Sequence, residues 1–128
     1  MTTKPATIPF ASLPTLGAAL EDGTFAGITT RPDGTHCAVI LLPAMGEDLT
    51  WKAAKAWAVE HGGELPTRPV AALLFANVQP ALSPVWHWTA DEYNASYAWD
   101  CHFGHGLQSC NHKDDERAAV AVRLIPLI

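Results

Sequence analysis

The fold of this chain is decided by one short stretch, Gly62-Gly63-Glu64-Leu65-Pro66-Thr67-Arg68. Glycine readily adopts the left-handed backbone conformation that follows a helix, so the glycines predict that a helix from Trp51 to His61 ends here. Thr67 is a good N-terminal cap, and Pro69 fits a first helical turn because its missing N–H would have no partner there. The stretch is therefore predicted to join two helices, the second of which runs to Val78.

Two apolar stretches before the first helix indicate a β-hairpin. They run from Gly23 to Thr30 and from Thr35 to Leu42, and Arg-Pro-Asp-Gly at 31–34 joins them. Proline presets φ and glycine accepts a positive φ, so this joint favours a tight turn. Both alternating faces of the second stretch are apolar, which predicts a strand covered on both sides of a sheet. Residues 43–48 are predicted to form a loop.

The chain after the second helix is predicted to form four short strands, at 85–90, 97–103, 107–111 and 118–126. In the second of them Tyr97, Trp99 and Cys101 alternate with Ala98 and Asp100, the period of a half-buried strand. Aromatic residues at such positions are more often core than contact surface. The residues predicted on this basis to be core are Trp86, Trp88, Tyr97 and Trp99.

Composition limits the class of protein. The 128 residues have the length of one domain, and 48% hydrophobic with 16% charged residues describe a globular chain. The net charge is −5 and lysine and arginine form no run, which argues against nucleic-acid binding. No apolar stretch of about 20 residues is present, so no membrane association is predicted.

The start of the chain and its cysteines indicate the compartment. Met1-Thr2-Thr3-Lys4-Pro5 lacks the apolar core of a signal peptide, so we expect no signal peptide. Three cysteines are an odd number, which fits reduced thiols better than a disulfide framework. We therefore expect a cytoplasmic protein of a host cell or a virion-associated one.

Proline interrupts the first 22 residues at positions 5, 9 and 14. Such a segment is predicted to be an extended arm, residues 1–22, that lies on the body or on a neighbouring subunit; a partly ordered tail is the alternative. Residues 23–128 are predicted to form a single domain. An arm on a neighbour would make the protein a homo-oligomer.

Six short motifs occur in a familiar order: GGELPTR (62–68), ALLFAN (72–77), WHWT (86–89), YAWDCHF (97–103), GLQ (106–108) and AVR (121–123). As a set they resemble the DUF1566-type domains of phages and prophages, which are variants of the C-type-lectin-like fold that formylglycine-generating enzymes share. The resemblance covers about residues 23–125. It implies an α+β fold, with two helices packed on a twisted antiparallel sheet and the termini close together. The calcium motifs of lectins are absent, so calcium and sugar binding are not carried over.

The resemblance also implies that late loops, rather than the core, contact the ligand. The predicted contact surface comprises residues 91–96 and 105–117, with Tyr93 the strongest single candidate. For the polar run 112–117 a solvated loop is an equal alternative. The predicted ligand-binding residues are Asp91, Glu92, Tyr93, Asn94, His105, Gln108, Asn111, His112, Lys113 and Asp114.

A window of cysteines and histidines offers a different chemistry. Cys101, His102, His105, Cys110 and His112 are residue types that Zn²⁺ selects. Neighbouring residues of a strand point to opposite faces, and the spacing matches no established zinc pattern, so we predict no metal site and no cofactor. Cys101 is a candidate nucleophile by analogy with formylglycine-generating enzymes. A lone strand thiol is usually inert, so we predict no enzyme activity.

Two arginines are predicted to be structural. Arg68 leaves the Leu-Pro-Thr turn and Arg123 lies amid Ala-Val-Arg-Leu. A guanidinium can bind backbone carbonyls or a carboxylate such as that of Glu64, which would fasten the helical half to the last strand. Trp86, Trp88 and Trp99 are assigned to structure with them.

Three functional hypotheses follow. The first is a non-enzymatic binding module of phage or prophage origin that presents loops to a protein or glycan partner, in an adhesion or tail-associated role. The second is an intracellular phage accessory protein that binds and inhibits a host defence protein, for which the acidic balance suits a basic target. The third is a metal-binding domain or enzyme built on the cysteine and histidine window.

Overall fold

A computed structural model describes residues 7–128 as an α+β fold of two helices and a seven-stranded sheet. The helices are α1 (Trp51–Glu60) and α2 (Arg68–Val78), and short 3₁₀ turns occupy Phe10–Ser12 and Gln79–Ala81. The strands are β1 (Ala19–Leu20), β2 (Gly23–Thr30), β3 (His36–Leu49), β4 (Trp86–Glu92), β5 (Tyr97–His102), β6 (Gln108–His112) and β7 (Arg117–Pro126). The predicted α+β class with two helices is confirmed.

Residues 62–68 join the two helices as predicted. Gly62 has a φ of 82°, the left-handed conformation that ends α1. A side chain on Gly63 would bring its Cβ to 2.6 Å from the carbonyl oxygen of Val122, so only glycine fits there. Glu64 and Val122 then exchange two backbone hydrogen bonds of 2.9 Å. The hydroxyl of Thr67 caps α2 by accepting from the N–H of Val70 at 3.4 Å.

The sheet has the order β1-β2-β3-β7-β4-β5-β6 and is mixed. All neighbours are antiparallel except β4 and β7, which pair in parallel where His87 lies opposite Ala118. The prediction of a wholly antiparallel sheet is therefore wrong. After β6 the chain crosses over β5 and β4 and enters the sheet as β7 on the other side of β4. Because β4 and β7 are not joined by a hairpin turn, they can pair in parallel.

The loop predicted at residues 43–48 is wrong, because β3 continues to Leu49. The last strand pairs along this extension, with Met45 opposite Val120 and Gly46 opposite Ala119, although the register shifts on both sides of that pair. A Cβ on Gly46 would meet the Leu49 side chain at 2.7 Å. Glycine at position 46 therefore leaves room for the side chain of Leu49, three residues along the same irregular strand.

The two helices cover opposite faces of the sheet. Ile40 and Leu42 belong to the apolar cluster that α1 covers, whereas Val39 and Leu41 belong to the cluster that α2 covers. These four residues alternate along β3 and all are buried. The prediction of a strand covered on both sides is confirmed.

The described part of the N-terminal segment lies on the domain. Ile8 is buried, forms a bridge with Leu127 and donates its N–H to Pro126 O at 2.9 Å. The beginning and end of the described chain therefore lie together. The first six residues of the predicted arm lie outside the described residues. No helix within residues 7–128 is long and apolar enough to cross a bilayer.

Candidate functional site

The sheet extends past the N-terminal end of α2, which leaves part of β5 and β6 uncovered by the helix. In the pairing of β5 with β6, Tyr97 lies opposite His112 and Trp99 opposite Cys110, so these four side chains share one face. The helix covers this face farther along β5, where Cys101 is fully buried. The helix begins at Arg68, whose side chain reaches the half-buried Trp99, and it leaves Tyr97 41% exposed.

We call the uncovered group Tyr93, Tyr97, Trp99 and Arg68 the aromatic face. The guanidinium carbon of Arg68 lies 3.5 Å from the centroid of the Trp99 ring, and Tyr93 meets that ring edge-on with centroids 5.7 Å apart. Both arrangements are favoured by the negative face of an aromatic ring. Trp99 is therefore held between a cation and a second ring.

Gln108 holds the Arg68 side chain in this position. The Nε of Arg68 donates to Gln108 Oε1 at 2.8 Å, and Gln108 Nε2 donates back to the Arg68 carbonyl oxygen at 2.9 Å. The backbone N–H of Arg68 donates to Asp91 Oδ2 at 2.6 Å. These bonds hold the aromatic face in a preformed arrangement, and preorganisation of this kind lowers the entropy cost of binding in general.

A groove runs from the aromatic face along α2. It has a volume of about 860 Å³, within the range of small-ligand sites, and opens widely to solvent. Leu107, which is 60% exposed, forms part of its apolar wall. Its lining residues are Arg68, Pro69, Ala72, Asp91, Trp99, Gly106, Leu107 and Gln108.

The loops at 93–96 and 113–116 border this face and are fastened to each other. Asn94 Oδ1 accepts from the N–H groups of Ser96 and Tyr97 at 2.9 and 2.8 Å, which shapes the first loop. Lys113 Nζ donates to Glu92 Oε2 at 2.6 Å and to the Ala95 carbonyl at 2.9 Å. The hydrogen bond and charge of Lys113 lower the pKa of the Glu92 carboxyl. The polar side chains of the loops thus serve partly to hold their shape.

The structure brings together only some of the predicted contact residues. Asp91, Tyr93, Gln108 and His112 lie on or beside the aromatic face, with Asp114 at the rim. The other members of the predicted set are placed elsewhere or are engaged within the fold.

Four members lie away from the aromatic face: Glu92, His105, Asn111 and Lys113. Glu92 lies opposite Ala98 on the side of the sheet that α1 covers, and its partner Lys113 has its Nζ 4.8 Å from the centroid of the Trp51 ring. His105 stacks on His102 in the turn at the opposite end of β5, with centroids 4.5 Å apart, and the strand between the two ends is about 17 Å long. Asn111 points to the other face of the sheet, where its Nδ2 donates to Asp100 Oδ2 at 2.5 Å.

The tryptophans assigned to structure differ in burial. Trp88 is fully buried and its Nε1 donates to the Leu49 carbonyl at 2.8 Å. Trp86 is half-buried and meets His102 edge-on at 5.2 Å, and Trp99 belongs to the aromatic face. The prediction that Tyr97 is a core residue is wrong, because α2 begins only at Arg68 and leaves this end of β5 uncovered.

The arginines predicted to be structural have different partners from those expected. Arg123 Nη1 donates to Asp22 Oδ1 at 2.5 Å, which ties β7 to the turn between β1 and β2 rather than to the helices. Arg68 binds Gln108 and Trp99. The carboxylate of Glu64 pairs instead with Arg31, 3.6 Å away.

Asp100 is a buried charge that the sequence pattern did not reveal. Its Oδ2 lies 3.5 Å from Arg117 Nε, and its Oδ1 is buried without a hydrogen-bond partner within residues 7–128. Burial raises the pKa of this carboxyl. The one signal in the sequence is an aspartate at an inward-facing position of an alternating strand.

The cysteine and histidine window does not form one site. Burial, and then the charge of Asp100, raise the pKa of the Cys101 thiol to about 11, so it stays protonated at neutral pH. Cys110 lies on the uncovered face, half-buried, and His105 lies in a turn. In the part of the chain that the structure describes, no three His, Cys, Asp or Glu side chains are placed to hold a metal ion.

Comparison with protein-family models and with curated proteins finds no match to this chain.

Proposed function

We propose that this chain is a non-enzymatic binding module that holds a protein or glycan partner on its aromatic face. The observation that carries the proposal is the arrangement around Trp99, which is stacked by Arg68 and flanked by exposed Tyr93 and Tyr97. Tryptophan, tyrosine and arginine are the residue types that dominate binding energy in interfaces, and each costs more than about 2 kcal/mol when truncated at a hot spot.

The proposal extends to the fold family and the biological setting. Two helices on a sheet, with Ile8 paired to Leu127 at the two ends of the described chain, are consistent with a C-type-lectin-like unit of the DUF1566 type. In that setting the module is phage- or prophage-derived and serves in adhesion or in a tail. A rigid sheet that presents loops and rings suits such a role, because the contact surface can vary without disturbing the core.

The proposal is tested by replacing the exposed aromatic side chains of Tyr93 and Tyr97, which are not part of the buried core. Tyr93 and Tyr97 are 59% and 41% exposed, so the double variant Tyr93→Ser with Tyr97→Ser should fold normally. Val59 on α1 is 72% exposed and lies outside the groove and the aromatic face, which makes Val59→Ser the matched control.

Each protein is applied to a glycan array and used to capture partners from a bacterial lysate. We expect at least one ligand that the wild type and the control retain and that the double variant loses by tenfold or more in affinity. A ligand bound equally by all three proteins would contradict the proposal, as would the failure of both screens to yield any ligand.

A second candidate is an accessory protein that binds a basic host protein. Asp114, whose side chain is 90% exposed, lies at the rim of the aromatic face beside His112, and the chain carries a net charge of −5. Complementary charge chiefly speeds association and is screened by salt. A captured partner whose association rate falls steeply with added salt would favour this candidate, and a salt-independent rate would exclude it.

A further inference from the structure

One edge of the sheet is open beside the groove. β6 is the last strand in the sheet order, and within residues 7–128 it pairs only with β5. Such an edge presents a row of backbone donors and acceptors that another strand can pair with. Natural proteins use this geometry to bind extended peptides, whose alternate side chains then enter pockets on one face.

The register of β6 identifies the outward-facing groups. His102 donates its N–H to Leu107 O at 2.8 Å at one end of the ladder, and Lys113 donates its N–H to Ser96 O at 2.9 Å at the other end, so Leu107 and Lys113 both bond toward β5. Because bonding alternates along an antiparallel pair, Gln108 and Cys110 occupy the positions whose N–H and C=O point away from β5. Both lie opposite residues of the α2-covered side of β5, so their side chains face the groove.

The groove offers the terminal donors of the Arg68 guanidinium to a side chain arriving from that edge, while the Asp91 carboxylate in the same lining accepts from the backbone N–H of Arg68 at 2.6 Å. Arg68 uses its Nε for Gln108, and no side chain within residues 7–128 pairs with its terminal Nη groups. A neighbouring strand would lie about 5 Å beyond β6, so a glutamate on it would extend across β6 toward Arg68, whose Nε is held by the β6 side chain of Gln108. A carboxylate forms charge-assisted, bidentate bonds with a guanidinium, and the exposed Leu107 beside it suits an apolar neighbour.

We propose that the partner is an extended peptide segment that adds a strand to β6 and places a carboxylate against Arg68. This inference rests on the proposed function, because the groove borders the aromatic face and shares Arg68 and Trp99 with it. Affinity comes from the backbone bonds of Gln108 and Cys110, and selectivity comes from the carboxylate.

The test uses a random octapeptide library displayed on yeast. We expect binders with an acidic residue at one fixed position, and in synthetic copies replacement of that glutamate by glutamine weakens binding about tenfold or more. Cys110→Pro removes the outward N–H at an edge position where proline is tolerated, so it should fold yet lose tenfold or more in affinity. Cys110→Ser keeps that N–H and is the matched control.

Two further measurements do not depend on any variant folding. In a peptide that adds a strand, alternate N–H groups point toward β6 and away from it. N-methylation of the residues whose N–H points toward β6 should abolish binding, and N-methylation of the other set should not. Cys37 and Cys101 are buried and Cys110 is half-buried on the binding edge, so the bound peptide should slow alkylation of Cys110 alone.

The outcomes separate this inference from the proposed function. Peptides that bind Cys110→Pro and wild type equally, or that tolerate N-methylation of both sets of residues, would overturn strand addition. If such ligands still lose affinity in the Tyr93→Ser, Tyr97→Ser variant, the aromatic face remains a binding surface. A library that yields no binder, while a glycan or folded protein binds the aromatic face, would overturn the peptide inference alone.

Discussion

Replacing Arg68 with alanine removes the side chain that organises the aromatic face. The guanidinium stacks on Trp99 at 3.5 Å and its Nε donates to Gln108 at 2.8 Å. A hydrogen bond from a charged donor contributes about 1.5 kcal/mol at its lower limit, which suits a half-buried site, and stacking adds about 0.5 to 1. We therefore expect Arg68→Ala to lower the free energy of unfolding by about 2 kcal/mol and the Tm by about 7 °C.

Urea unfolding followed by tryptophan fluorescence measures this loss. Arg31→Ala is the matched control, because Arg31 and Glu64 form a surface pair of 3.6 Å with side chains 38% and 46% exposed, and such pairs contribute less than about 1 kcal/mol. A double-mutant cycle of Arg68→Ala with Gln108→Ala should give a coupling energy of about 1 kcal/mol. If Arg68→Ala costs no more than Arg31→Ala, Arg68 does not hold the aromatic face.

Three other predictions concern the core and the buried groups. Trp88→Phe should cost about 2 to 3 kcal/mol in urea unfolding, since it removes volume and leaves the buried Leu49 carbonyl without its 2.8 Å bond; a cost below 1 would contradict this packing. Burial raises the pKa of Asp100 above 3.8, so this carboxyl contributes stability below pH 3.8 that is lost as pH rises through its folded pKa. The variant Asp100→Asn should therefore gain stability relative to wild type as pH increases. A difference in unfolding free energy that stays constant with pH would contradict the raised pKa. Of the three cysteines, only Cys110 should react with a thiol reagent before unfolding, as counted by mass spectrometry, and early loss of Cys37 or Cys101 would contradict their burial.

Local sequence signals predicted the elements whose geometry is local. The glycines and Thr67 at 62–68 placed the helix ends, and Arg-Pro-Asp-Gly placed the hairpin between β2 and β3. Each of these signals acts on the backbone conformation of a few neighbouring residues, so it can be recognised from the local sequence alone. The loop predicted at 43–48 was wrong because the strand there depends on pairing with β7, about 75 residues away, which local signals do not report.

The position of the aromatic face depends on tertiary contacts, which the alternating pattern of apolar and polar residues in β5 does not reveal. Tyr97, Trp99 and Cys101 share one face of β5, and a period of two gives all three the same predicted burial. The point at which α2 begins decides that Cys101 is covered and Tyr97 is not. The partner of Arg68 was equally inaccessible, because Gln108 is 40 residues distant and reaches it only through the pairing of β6. Tyr93, predicted to be the strongest contact candidate, is 59% exposed in a polar loop, and its contact role stays a prediction.

Hydroxyl-radical footprinting of the protein with its first isolated ligand shows whether the ligand covers the aromatic face. The method reports the solvent exposure of aromatic and aliphatic side chains in the folded protein. We predict strong protection of Tyr93, Tyr97 and Trp99 on binding, with no change at Val59 or at Phe10, which is 62% exposed on another surface. Unchanged reactivity of those three rings in a saturated complex would contradict the account.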